Sequence, residues 1–192
     1  LQAVFLIPLW CAFWFCGRMK FRHFFVFPAV FFLSISPALL LGKPLADILG
    51  IYLNQAGDSI AWQTVNYNSP SVFSLLPWHA DIAPWVPKAA IGAAFLFMLL
   101  VLAVVVVRRK AADNNALVLA GAALSLGIPF FLPYMHERYF FLGGVLLVVL
   151  ACVRPAHAPA AIGAELASLG GYHAYLRQKY VMVLTLFGIT WT

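Results

Sequence analysis

"AAIGAAFLFMLLVLAVVVV", Ala89 to Val107, runs for 19 residues without a charged or strongly polar side chain. At about 1.5 Å per residue, a helix of this length crosses the ~30 Å hydrocarbon core of a bilayer. Lys88 stands before it, and Arg108, Arg109 and Lys110 follow it. That is the layout of a membrane span with a basic stop. The rest of the chain agrees with it. Of 192 residues, 64% are hydrophobic and only 9% charged, where a soluble domain carries about a quarter charged.

The same ruler laid along the chain gives six to seven spans, at about 1–16, 24–41, 89–107, 116–132, 139–153, 158–175 and 180–192. All are expected to be helices, because lipid offers the backbone no water to bond. The fold class is therefore all-α: one polytopic bundle over 1–192, with a long, partly helical extracytoplasmic loop at 42–88. Pro28 and Pro37 interrupt the second run, and Glu165 weakens the sixth. Both ends stop within apolar runs, as expected of a piece of a longer polytopic protein. Leu1 to Cys16 reads as a span rather than a signal peptide.

Basic residues set the orientation, since short cytoplasmic loops hold the excess of Lys and Arg. Arg18, Lys20 and Arg22 share one connection, Arg108 to Lys110 a second, and Arg154 a third. Alternating helices put all three on the cytoplasmic side. The formal charge of +6 is thus absorbed in orienting the helices, and no nucleic-acid partner is needed to explain it. Cys11, Cys16 and Cys152 lie within spans, placed for neither a loop disulfide nor a metal cluster. CxxC, HExxH, GxSxG and a Gly-rich phosphate loop are all missing.

Alternation places the 42–88 loop and the segment "YMHERYFF", Tyr134 to Phe141, together on the opposite face. The loop is too long for a plain linker and too aromatic for disorder. "LADILGIYL" has helical spacing and is expected to lie in the interface, with Tyr52, Trp62, Trp78 and Trp85 at headgroup depth. "NYNSPS" is turn chemistry, expected to present Asn66, Tyr67 and Asn68 to a polar ligand. Asp58 and Asp81 are acids of a solvated loop, which needs no catalytic role from them. His136, Glu137 and Arg138 are different: three adjacent ionisable groups between two apolar runs mark a functional candidate. Pro129 and Pro133 should turn this segment off the axis of the preceding helix, and Gly143 and Gly144 beyond it permit a close approach by a helix or a lipid chain. Glu165, in mid-span, is expected to face protein.

"YMHERYFFLGG", Tyr134 to Gly144, resembles the "MHERYL" segment of the bacterial Gpi18-like mannosyltransferase group, polytopic glycosyltransferases of the GT-C class. Tyr52 and Gln55 match that group's Tyr-x-x-Gln. Asn68, Ser69 and Pro70 match most of its Asn-Ala-Pro-Asn turn, with Ser71 in place of the final Asn. The resemblance follows segment order across nearly the whole chain, including "ASLGGYHAYLRQKY", Ala167 to Tyr180.

The resemblance implies transfer of a hexose, mannose above all, from a polyprenyl- or dolichyl-phosphate donor to an acceptor on the extracytoplasmic face. Arg138 and His136 would hold the lipid phosphate, with Glu137 orienting them. Tyr139, Tyr52, Gln55, Asn66 and Asn68 would complete the substrate site. The general base, an Asp of the first outer loop in such enzymes, would lie outside these 192 residues. No cofactor is expected within the chain, and a divalent metal is left open. The partners would be the lipid-linked donor and membrane lipids, in a bacterial plasma membrane. Two other classes fit parts of the sequence: a transporter or flippase lined by the same charges, and a membrane subunit without catalysis.

Overall fold

The computed structural model describes residues 2–50, 65–67, 69–76, 82–110 and 113–177. Helix dominates them. The helices are α1 (Ile7–Phe15), α2 (Val26–Leu40), α3 (Trp85–Val107), α4 (Asn114–Phe131), α5 (Phe141–Val153) and α6 (Ala158–Arg177). Among the described residues there are also two strands of two residues each, β1 (Asn66–Tyr67) and β2 (Met135–His136), and short 3₁₀ turns. The described residues pack as two compact units. One lies within Phe13–Thr64, and the other joins Leu1–Ala12 to Val65–Thr192.

Three described helices are long and apolar enough to cross a membrane: Phe21–Leu40, Trp85–Val107 and Asn114–Phe131. The expected spans at 1–16, 139–153 and 158–175 are helices, but fall short of that measure. Val4–Phe15 and α5 are brief. α6 has the length at 20 residues, yet carries Glu165 and His173. The expected span at 180–192 lies outside the described residues.

In the smaller unit, α2 follows a 3₁₀ turn, Phe21–Phe25, whose rings cluster with Trp14. The helix runs on through Pro28 and Pro37 instead of stopping at either. The Ser34 and Ser36 hydroxyls, which would otherwise be unpartnered beside apolar neighbours, donate back to the carbonyls of Val30 and Leu33 at 2.8 and 2.7 Å.

The larger unit is a chain of neighbours: α3 packs on α4, α4 on α5, and α5 on α6. Small residues make these approaches possible. A Cβ at Gly127 would fall 2.1 Å from the Phe97 ring, and one at Gly143 would fall 2.4 Å from Leu126. Ala122, Leu147 and Ala161 meet at the centre, flanked by Leu126, Leu146, Ala151 and Ala164. Helices that pass through lipid gain little from burying apolar surface against one another, so close van der Waals fit is what holds such a set together.

The turn between α3 and α4 sets one end of this unit. Asp113, in extended conformation, accepts from the Ala116 N–H at 2.8 Å and caps α4. The same carboxylate pairs with Arg154, which follows α5. Arg108, Arg109, Lys110 and Arg154 therefore share one end, as the alternation of helices requires.

Candidate functional site

At the opposite end of α4 the chain leaves the helix at Leu132, which is extended, and passes through Pro133 into β2. The departure comes where the two prolines predict it. Pro129 cannot donate to the Ser125 carbonyl four residues back, so the last turn of α4 is already short of a bond. Tyr134 then takes φ = 63°, a left-handed conformation that a side chain rarely adopts. Its N–H donates to the Val65 carbonyl at 2.8 Å. That bond starts a parallel pairing in which Asn66 stands beside Met135 and Tyr67 beside His136. Residues 65–67 of the 42–88 loop and the "MHERY" segment, read as neighbours from topology alone, are joined backbone to backbone.

The loop's turn folds in on itself. Asn66 is buried and spends its carboxamide on Ser69: Oδ1 accepts from the Ser69 N–H at 3.1 Å and hydroxyl at 2.6 Å, and Nδ2 donates to the Ser69 carbonyl at 3.1 Å. Asn66 thus faces inward instead of presenting outward, because a buried amide must meet its own bonding demand and Ser69 is in reach. Tyr52, Gln55 and Asn68 lie outside the described residues, as do Asp58 and Asp81.

His136, Glu137 and Arg138 do not point the same way. Glu137–Phe140 is a 3₁₀ turn, in which successive side chains are about 120° apart. Glu137 goes into the protein at 5% exposure and Arg138 goes to the surface. Glu137 Oε2 stands 4.0 Å from His136 Nδ1 and makes no hydrogen bond among the described residues. Desolvation, with Arg138 adding to it, holds the His136 imidazolium below its ordinary range near 6.5, against the opposing pull of Glu137. The ring is therefore neutral at neutral pH. Tyr139 stacks edge-on against Phe5, centroids 6.2 Å apart, and lies 6.1 Å from the His136 ring.

A cavity of about 300 Å³ adjoins both segments, lined by Pro70 of the turn, Leu126, Gly127 and Phe130 of α4, Phe140, and Ala164 and Ala167 of α6. Its walls are almost wholly apolar. Two more polar atoms nearby in sequence are buried without a partner among the described residues, the hydroxyls of Ser71 and Ser125. The sequence offered one faint signal for Ser125, a lone hydroxyl within the apolar run 116–132, and none for the burial of Ser71. Glu165 reaches α5, where a Cβ on Gly144 would meet its Oε1 at 2.4 Å, although the residue as a whole is exposed.

Among the described residues, no group of three or more His, Cys, Asp and Glu side chains is placed to hold a metal ion. No family model matches the chain, and neither a curated protein nor a solved structure is found similar to it.

Proposed function

We propose that this protein is a multi-pass membrane glycosyltransferase that takes a hexose, mannose by its resemblance, from a polyprenyl- or dolichyl-phosphate carrier. In this reading the six to seven apolar segments form one bundle in a bacterial plasma membrane. The 134–141 segment faces the extracytoplasmic side. The acceptor hydroxyl attacks the anomeric carbon, the bond from that carbon to the phosphate oxygen breaks, and the lipid phosphate leaves with the electron pair. A base from outside these residues takes the hydroxyl proton.

One observation carries the proposal. Strand pairing fixes the "MHERY" turn against the Asn66–Pro70 turn, and an apolar cavity opens where the two meet α4 and α6. A lipid-linked sugar needs an apolar groove for the chain and a cation for the phosphate, and the turn that lends Phe140 to the cavity also carries Arg138. Arg138, always protonated and at the surface, offers a planar fork of donors suited to phosphate oxygens. Neutral His136 supplies one further N–H. A left-handed Tyr134 inside the same turn supports the reading, because backbone strain of about 1–3 kcal/mol persists where surrounding structure imposes it, often at working sites.

The test is sugar transfer from a lipid-linked donor by the full-length protein, wild type against Arg138→Ala. A well-placed donor to the developing charge is worth about 3 kcal/mol, so turnover should fall roughly 100-fold. Unchanged turnover and unchanged donor affinity would remove Arg138 from the reaction.

A further inference from the structure

The far end of the α3–α4 pair holds a second opening. The two helices touch tightly where the Phe97 ring meets Gly127 and lies 5.8 Å from Phe131. Toward the Arg108 end they part, and a groove of about 450 Å³ opens between them. Leu100, Val101 and Val104 form one wall, Ala116 and Ala120 the other, and Arg108 stands at its mouth.

The lining selects the occupant: an open groove of apolar side chains that ends at one arginine suits an alkyl chain with an anionic head. Water is a poor tenant, because the walls offer almost no polar partners. Charge selects the rest of the molecule. Arg108 caps the end of α3, is exposed, and forms no ion pair among the described residues, and Arg109 and Lys110 follow it. The acid of this end, Asp113, is already paired with Arg154. Basic side chains at the mouth of an apolar groove between membrane-length helices are the means by which anionic lipid headgroups are held.

We propose that this groove is a binding site for one anionic phospholipid, with an acyl chain between α3 and α4 and its phosphate on Arg108. The site is separate from the 134–141 turn, lies at the other end of α4, and does not depend on glycosyl transfer. It gives the protein a preference for the lipid composition of its own membrane.

Native mass spectrometry of the full-length protein, released from nanodiscs of phosphatidylcholine and phosphatidylglycerol in equal parts, reads this directly. Wild type should retain phosphatidylglycerol over phosphatidylcholine by about fivefold, the preference one basic residue confers. Arg108→Gln should abolish that preference while leaving the thermal midpoint in place. Ala120→Leu, which fills the groove with the charge intact, should cut retention of both lipids. Arg18→Gln, a charge change of equal size on the other unit, should alter nothing. Retention that Arg108→Gln leaves unchanged, or that Arg18→Gln lowers equally, overturns the site in favour of diffuse surface charge. Unaltered retention in Ala120→Leu overturns the groove.

Discussion

The two ends of α4 use charge in opposite ways. At its start, Asp113 and Arg154 form an exposed ion pair, and the carboxylate doubles as the helix cap. The charged groups there are exposed or paired. Past its end, Glu137 is buried with an oxygen that bonds to nothing among the described residues, beside a His held neutral and a left-handed Tyr. One end follows the ordinary rules of stability. The other departs from them twice within four residues, at Tyr134 and Glu137, and departures of that kind concentrate where a protein gives up stability for a task. The contrast is what makes the 134–141 turn the functional candidate.

The largest effect that bears on this contrast is at Glu137. A buried side-chain oxygen without a hydrogen bond costs about 1–3 kcal/mol, and Gln keeps the shape while its amide can offer a donor where the carboxyl oxygen finds none to accept. Glu137→Gln should therefore raise the thermal midpoint by several degrees and, on the proposed function, slow sugar transfer by tenfold or more. Both signs matter. A midpoint that falls would mean the carboxylate is a satisfied structural group, and the two ends of α4 would then be alike.

How this contrast escaped the sequence is instructive. The apolar runs at 89–107 and 116–132 announced their helices, because a span of fixed length in lipid has few alternatives. The neighbourhood of the loop and "MHERY" was also legible, through alternation of the helices. Their strand pairing was not: Asn66–Tyr67 and Met135–His136 are too short to show a period of two. Nor was the split between Glu137 and Arg138, since which of two adjacent residues turns inward is fixed by the local turn, not by residue type. The Asp113–Arg154 pair joins positions 41 apart, and nothing in the sequence links them.

Tyr134 gives the next test in size. Glycine adopts φ = 63° without strain, but leaves more freedom in the unfolded chain, so Tyr134→Gly should shift stability by less than about 1 kcal/mol. Its effect on the proposed transfer should be larger than its effect on melting, because glycine keeps the N–H that bonds Val65 but frees the backbone that aligns the two turns. Equal losses in both would reduce Tyr134 to a folding residue.

His136 offers a smaller, pH-dependent signal. Its folded-state pKa lies below the ordinary value near 6.5, so the unfolded chain binds the proton more tightly. The stability it leaves intact above pH 6.5 should be lost as pH falls through the folded-state value. His136→Asn should flatten that part of the melting-against-pH curve. A curve unchanged by the substitution would assign the pH dependence to another group.

The smallest effect belongs to the orderly end. Asp113 has its pKa lowered first by the Ala116 N–H and further by Arg154, with desolvation opposing. The folded-state value is depressed, so its contribution is present above about pH 3.8 and is lost as pH falls through that lower value. Asn caps a helix as well as Asp does, which leaves the exposed pairing with Arg154 as the main loss in Asp113→Asn. Exposed pairs are screened by solvent and salt and contribute little. At neutral pH the variant should melt beside the wild type and transfer sugar at the wild-type rate. Its melting curve should separate from the wild type's only in acid, where it lacks the step that protonation of Asp113 produces. A loss of transfer matching that of Glu137→Gln would show that both ends of α4 serve the reaction, and the division drawn between them would fail.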